Sequence, residues 1–142
     1  MILISHRGNL EGKNCDIENA PMYVDEALST GVDAEIDVWY RGGKFYLGHL
    51  APEHGVSVEW LIERRNNLWC HAKNLAALDE LLNYGLTCFW HQEDNFTLTS
   101  NNYIWTFPGQ PTNEKSIIVE PYYKKLENIA GVCSDYIQKY KE

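Results

Sequence analysis

Glu35 and Asp37 stand one residue apart in the run Asp33-Ala34-Glu35-Ile36-Asp37-Val38-Trp39. Its apolar–acidic alternation has the period of a β-strand. Period two sends Ala34, Ile36 and Val38 to one face and the carboxylates to the other. Two buried carboxylates side by side repel, so burial requires a shared proton or a cation. Hard oxygen ligands of this kind suit Mg²⁺ or Ca²⁺. His6-Arg7-Gly8 follows an apolar run at residues 1–5. An imidazole moves protons near neutral pH, a guanidinium grips phosphate through two oxygens, and Gly8 lets the backbone approach an anion. Gly48-His49 supplies a second imidazole at another strand–loop junction. His71-x-Lys73 closes a third apolar run, and His91-x-Glu93, Glu120 and Asp135 end later ones.

These residues are useful together only if the chain brings strand ends to one place. Strands are predicted at residues 1–5, 33–39, 44–47, 68–72, 87–91, 103–107, 116–120 and 132–135. Helices are predicted between Pro21 and Gly31, over 56–65, from the Asn74 cap to Gly85, and over 122–129. Leu75, Leu78 and Leu82 form the expected buried stripe of the third. Alternating strands and helices indicate parallel βα units, which keep their sites at the carboxyl ends of the strands. Residues 91–103 and 107–116 are polar, rich in Asn, Thr, Pro and Gly, and read as crossovers reduced to loops.

The ordered set His6-Arg7-Gly8, Glu18-Asn19, Glu35-Ile36-Asp37-Val38 and Gly48-His49 resembles the glycerophosphodiester phosphodiesterase family. That family belongs to the wider phosphatidylinositol-specific phospholipase C-like phosphodiesterases. The match spans roughly the first third of the chain, with weaker echoes at His71-Ala72-Lys73 and Cys133-Ser134-Asp135-Tyr136. The resemblance implies an α/β fold: a reduced TIM-type (β/α) barrel of about seven strands with some crossover helices lost. It implies a metal-dependent hydrolase of glycerophosphodiester-like phosphodiesters. His6 and His49 match the acid/base pair, and Arg7 and Lys73 the groups that grip phosphate. Glu35 and Asp37 match metal ligands, and Glu18 either coordinates the metal or orients its neighbours.

Two positions depart from the family pattern. Leu50 stands where an Asp usually follows the second histidine, and His71 where a Glu metal ligand precedes the lysine. As a third ligand, His71 shifts the preference from Mg²⁺ or Ca²⁺ toward Mn²⁺ or Zn²⁺; otherwise it hydrogen-bonds within the barrel. Which histidine is the acid stays open, as does hydrolysis against cyclisation by a neighbouring substrate hydroxyl. A phosphate-cyclising lyase and a turnover-deficient phosphodiester-binding module are the alternative functions. Trp39, Trp90, Trp105, Tyr122 and Tyr123 lie near strand ends and either cap the core or stack on a polyol or glycosyl group; Trp90 and Trp105 are the candidate substrate contacts. His91 and Glu93 could complete the metal shell or bind the alcohol, Asp135 would support the site from behind, and His54 reads as an exposed loop residue.

One domain, 1–142, accommodates the 142 residues, and 44% hydrophobic with 23% charged residues is a globular composition. Twelve basic against twenty acidic residues give −8, which argues against nucleic acid or an anionic membrane surface as partner. A small-molecule phosphodiester is the expected partner. The apolar runs are too short to span a bilayer, and Met1 leads directly into Ile-Leu-Ile without the pattern of a signal peptide. Cys15, Cys70, Cys88 and Cys133 contain no CxxC pair and read as thiols of a cytoplasmic protein. A flank without helices would expose apolar strand faces, and a homodimer is the expected cover.

Overall fold

The computed structural model describes residues 1–121 and 126–141. The strands are β1 (Ile2–His6), β2 (Asp33–Arg41), β3 (Lys44–Leu47), β4 (His54–Val56), β5 (Leu68–Ala72), β6 (Cys88–Phe89), β7 (Phe96–Leu98), β8 (Ile104–Thr106), β9 (Ser116–Val119) and β10 (Gly131–Ser134). The helices are α1 (Pro21–Ser29), α2 (Val58–Glu63) and α3 (Leu75–Asn83), with 3₁₀ turns at Arg65–Asn67 and Ile137–Tyr140.

Among the described residues, seven strands run parallel in the order β6-β5-β2-β1-β10-β9-β8. They curl into a partial barrel. β7 pairs antiparallel with β8. Its other side reaches β6 through separate bonds: Ser100 N donates to the Cys88 carbonyl at 2.8 Å, Cys88 N to Ser100 Oγ at 2.8 Å, and Thr97 Oγ1 to the Trp90 carbonyl at 2.9 Å. The gap between β6 and β8 is therefore bridged, not laddered. β2 outruns β1, and its extension is taken up by the hairpin partner β3.

Alternation divides the apolar residues into two layers. Ile4, Trp69, Phe89, Trp105, Ile117 and Cys133 fill the interior of the curl. Ala34, Ile36, Val38, Cys70 and Ala72 point outward and pack beneath the helices with Val24, Leu61, Ala77 and Leu81. Burying a side chain such as Leu81 contributes about 2 kcal/mol. Ser57 Oγ caps α2 at Trp60 N, and Asn74 Oδ1 caps α3 at Ala77 N.

Four expectations need correction. The buried face of α3 runs through Ala77 and Leu81, with Leu78 of the expected stripe packed partly against the same core, whereas Leu75 and Leu82 are exposed, because β2 and β5 meet the helix on the Ala77–Leu81 side. The segment read as a helix from residue 56 starts as β4, and only Ser57 opens helical geometry; His54 is a half-buried residue of β4. Residues 91–103, expected to be a bare loop, contain β7, whose three residues are too few for a legible period. Of the helix predicted over 122–129, residues 126–129 are not helical, and Tyr122 and Tyr123 lie outside the described residues.

The flank without helices lies where expected. Phe96 and Leu98 face outward, paired with Thr106 and Ile104, and are 46% and 68% exposed. Among the described residues no helix is long and apolar enough to cross a membrane.

Candidate active site

The first two strands carry the centre. Past His6 the chain turns sharply. Arg7 takes φ 58° and Gly8 φ 87°, while Arg7 N donates to the Glu35 carbonyl and Asn19 N to the Arg7 carbonyl. A Cβ on Gly8 would press to 2.9 Å from the Tyr23 ring. Arg7, Asn19 (φ 68°) and Glu120 (φ 47°) are non-glycine residues in the left-handed region. Such a conformation costs about 1 kcal/mol or more each and is typical of sites whose surroundings hold it in place. At the other hairpin, Trp39 Nε1 donates to the Gly48 carbonyl at 2.7 Å, and a side chain at Gly48 would collide with the Ala51 carbonyl oxygen. His49 is thereby aimed back at β2.

Glu35, Asp37 and His71 form one cluster, with ligand atoms all within 4.8 Å of one another. His71 Nδ1 lies 3.3 Å from Asp37 Oδ1 and 3.9 Å from Glu35 Oε2. Its Nε2 lies 3.2 Å from the His91 carbonyl. A carbonyl only accepts, so Nε2 carries the hydrogen and Nδ1 turns toward two carboxylates. Glu35 Oε1 and Asp37 Oδ1 are buried without a hydrogen-bond partner. A proton on Nδ1 or a cation among the three groups relieves the clash, and two carboxylates with one imidazole fit a divalent ion.

Burial and the neighbouring Asp37 raise the Glu35 pKa, against the pull of His6, Arg7 and His71. Burial opposes ionisation of Asp37 as well, yet contacts from His49 and His71 and the charge of Arg7 carry its pKa well below the usual carboxylate value. The pair is thus split, with Asp37 the firmer anion.

The two histidines differ in their partners. His6 Nδ1 bonds Asp135 Oδ1 at 2.9 Å, and its Nε2 lies 3.8 Å from Glu35 Oε1. Burial lowers the His6 pKa, but the Asp135 hydrogen bond and the Glu35 charge outweigh it, so the net shift is upward. Asp135 is lowered in turn: burial opposes its charge, and the bond to His6 prevails. His49 Nε2 lies 3.4 Å from Arg7 Nη2. Since a guanidinium only donates, His49 Nε2 presents a lone pair, while its Nδ1 stands 3.6 Å from Asp37 Oδ2. Asp37 is thus the carboxylate beside His49 Nδ1, while Leu50, next to it in the chain, is 84% exposed.

Arg7 is held by carboxylates on two sides, at 3.1 Å from both Glu18 Oε1 and Asp37 Oδ2. Asn9, fully buried, bridges Glu18 Oε2 and Asp135 Oδ1 through its amide nitrogen and accepts from the Tyr23 hydroxyl. Asn19 accepts from Asp37 N and donates to Asp37 Oδ2 at 2.9 Å. Neither Asn9 nor Tyr23 was legible as a site residue, since one follows the His-Arg-Gly turn and the other lies in α1 with no pattern linking them. Glu120 accepts from Asp135 N and from Ser134 Oγ, and lies 3.8 Å from His6 Nδ1. His6, Glu120 and Asp135 are a second group with ligand atoms within 4.8 Å.

A cavity of about 560 Å³ opens over this centre and brings together His6, Arg7, Glu35, His49, His71 and Lys73 with Trp90 and Trp105. Trp105 is 5% exposed and tied into the core by Phe89, at 4.6 Å, and Trp69; Trp90 is 43% exposed at the rim. His91 stacks on His71 at 4.5 Å and reaches the cavity, but Glu93 is exposed and takes no part in its lining. Comparison of the chain with protein-family models, with curated proteins and with solved structures found no match in any of the three.

Proposed function

We propose that this chain is a metal-dependent phosphodiesterase acting on a glycerophosphodiester-like substrate, on a reduced TIM-type barrel similar to the glycerophosphodiester phosphodiesterases. The observation that carries the reading is the set Glu35, Asp37 and His71, with two orphaned carboxylate oxygens and an imidazole nitrogen facing them beneath His6, His49, Arg7 and Lys73. Glu35, Asp37 and His71 would hold the ion, with Mn²⁺ or Zn²⁺ favoured over Mg²⁺ or Ca²⁺ by the nitrogen donor. A divalent cation there supplies charge neutralisation on a phosphate oxygen and acidifies the attacking hydroxyl.

The protein groups divide the remaining work. Arg7 and Lys73 grip the non-bridging phosphate oxygens and share the charge that builds in the transition state. His49 is the base, because its Nε2 offers a lone pair; the guanidinium of Arg7 exchanges that nitrogen for a substrate oxygen as phosphate enters. His6 is the acid that protonates the leaving alcohol, since Asp135 and Glu35 favour its imidazolium. The four free cysteines suit the cytoplasm, and a homodimer through the outer face of β7 belongs to the same reading.

The test is a screen of purified protein, with and without each of the four cations, against glycerophosphodiesters and a chromogenic diester. Cation-dependent turnover is expected, abolished in His6→Ala and His49→Ala. Full activity in either variant would sink the assignment. Phosphorus NMR in ¹⁸O-labelled water identifies the product: a labelled monoester is expected, and an unlabelled cyclic ester would replace the hydrolase by the lyase. Gel filtration showing only monomer would remove the dimer.

A further inference from the structure

We infer that the outer half of the cavity is a stacking subsite for a planar aromatic group on the alcohol arm of the phosphodiester; this rests on the phosphodiesterase reading of the inner half. A volume of about 560 Å³ falls in the range of roughly 300–1,000 Å³ of pockets that enclose drug-sized ligands. A phosphate group and an ion occupy a small part of it. The remainder has an apolar wall of Trp90, Trp105, Phe107, Pro108 and Val119, with His91, Gln92, Asp94, Thr97 and Glu120 completing it.

Trp90 and Phe107 are 43% and 58% exposed although both line the cavity. Among the described residues neither ring packs against another aromatic ring, in contrast to Trp105, so two large faces stand unused at the mouth. The rings deeper in are fixed in near-parallel planes. His91 lies 9° from His71, His71 16° from Phe89, and Phe89 29° from Trp105. These deeper rings stack on one another, so the faces left for a flat group are those of Trp90 and Phe107.

Several polar atoms on this side are already bonded within the protein. Thr97 Oγ1 donates to the Trp90 carbonyl, His91 Nδ1 bonds the Gln92 carbonyl at 3.2 Å, and Asp94 Oδ2 accepts from Gln92 N at 3.1 Å. A polyol or sugar arm would leave many of its hydroxyls unmatched, which costs affinity. A planar apolar arm asks for fewer hydrogen bonds and can lie on the rings of Trp90 and Phe107.

The experiment uses the full chain with Mn²⁺ and three glycerol phosphodiesters whose second alcohol is ethanol, 2-phenylethanol or 2-cyclohexylethanol. All three are primary alkanols, so the leaving group is matched. The expected kcat/KM for the phenylethyl ester is about ten-fold that of the ethyl ester and several-fold that of the cyclohexylethyl ester. Trp90→Ala and Phe107→Ala should each bring the phenylethyl-to-cyclohexylethyl ratio close to one. Equal rates on those two esters in the unmodified protein overturn a planar subsite, and equal rates on all three remove any arm preference while leaving the phosphodiesterase standing. If none is turned over, the phosphodiesterase reading fails by itself. Calorimetric titration with the same esters then decides the subsite: tighter binding of the phenylethyl ester supports it, and equal or absent binding overturns it.

Discussion

Replacing Glu35 by Gln should stabilise the metal-free protein and destroy its response to divalent cations. The carboxylates of Glu35 and Asp37 lie within 4.8 Å of each other, with Glu35 Oε1 and Asp37 Oδ1 buried and without a hydrogen-bond partner. At an effective dielectric constant of about 20, two unit charges at that distance repel by about 3 kcal/mol. His6 Nε2 at 3.8 Å and His71 Nδ1 at 3.9 Å recover part of this. The Glu35 pKa is nonetheless raised, by burial first and by Asp37 second, so its charge stays disfavoured. The gain on removing the Glu35 charge is read as a rise in Tm, each 1 kcal/mol being worth about 4 °C for a chain of this length.

A cation at about 100 times its Kd adds about 2.7 kcal/mol to the unmodified protein, near 10 °C, and nothing to the variant. The order of stability therefore reverses between chelator and excess Mn²⁺. The pH dependence follows from the direction of the Glu35 shift. A carboxyl whose folded pKa is raised contributes stability that is fully present below its unfolded value of about 4.3. That contribution is lost as pH rises through the folded value. The difference between the two metal-free proteins should accordingly vanish in acid and open toward neutrality. Differential scanning fluorimetry from pH 4 to 8, with chelator and with Mn²⁺, reads all of this. A metal-free variant less stable than the parent at pH 7, or one that gains the same Mn²⁺ shift, would refute the reasoning.

Three further outcomes follow. Asp135→Asn should lower the His6 pKa in a histidine NMR titration; the stability His6 gains from its raised pKa, present below about pH 6.5 and lost as pH rises through the folded value, should shrink with it. Asn74→Ala removes the α3 cap together with its bonds to Tyr40 N and O, and should cost about 2 kcal/mol in chemical denaturation without changing cation affinity. His71→Glu should move the cation preference in calorimetry from Mn²⁺ or Zn²⁺ toward Mg²⁺ or Ca²⁺, and an unchanged order would remove His71 from the ligand set.

Much of the centre was legible because its residues lie on strands whose period is simple. Once Ala34, Ile36 and Val38 go beneath the helices, Glu35 and Asp37 must point inward, and the structure places all three outward residues at 0% exposure. β5 was legible to the residue, since Leu68–Ala72 is a compact apolar run ended by Lys73 and the helix cap Asn74. What escaped was set by tertiary contact. The side of α3 that is buried depends on where β2 and β5 lie, and Leu75 and Leu82 lost that place to Ala77 and Leu81. Asn9 and Tyr23 became site residues only because the Arg7–Gly8 turn brings them beside Glu18 and Asp135, and no periodicity encodes a turn-mediated meeting.

The same division explains how so short a chain can carry both a charged centre and a wide cavity. Glu35, Asp37, His6, His49 and His71 come from β1, β2, β5 or the turn after β3, the part of the sheet that is backed by α1, α2 and α3. Rigid backing is what two repelling carboxylates need, because a loose strand would let them part and lose the cation geometry. Cys88 of β6 still packs with Ala77 and Leu81 of α3, but among the described residues β7 to β9 have no helix behind them, and the segment around β7 is bridged to that around β6 by a few hydrogen bonds, two of them involving side chains. That half of the wall presents the exposed rings of Trp90 and Phe107 beside Asp94 and Glu120. Stacking tolerates small displacements better than ligation does, so the economical half of the barrel is the half suited to gripping a substrate arm.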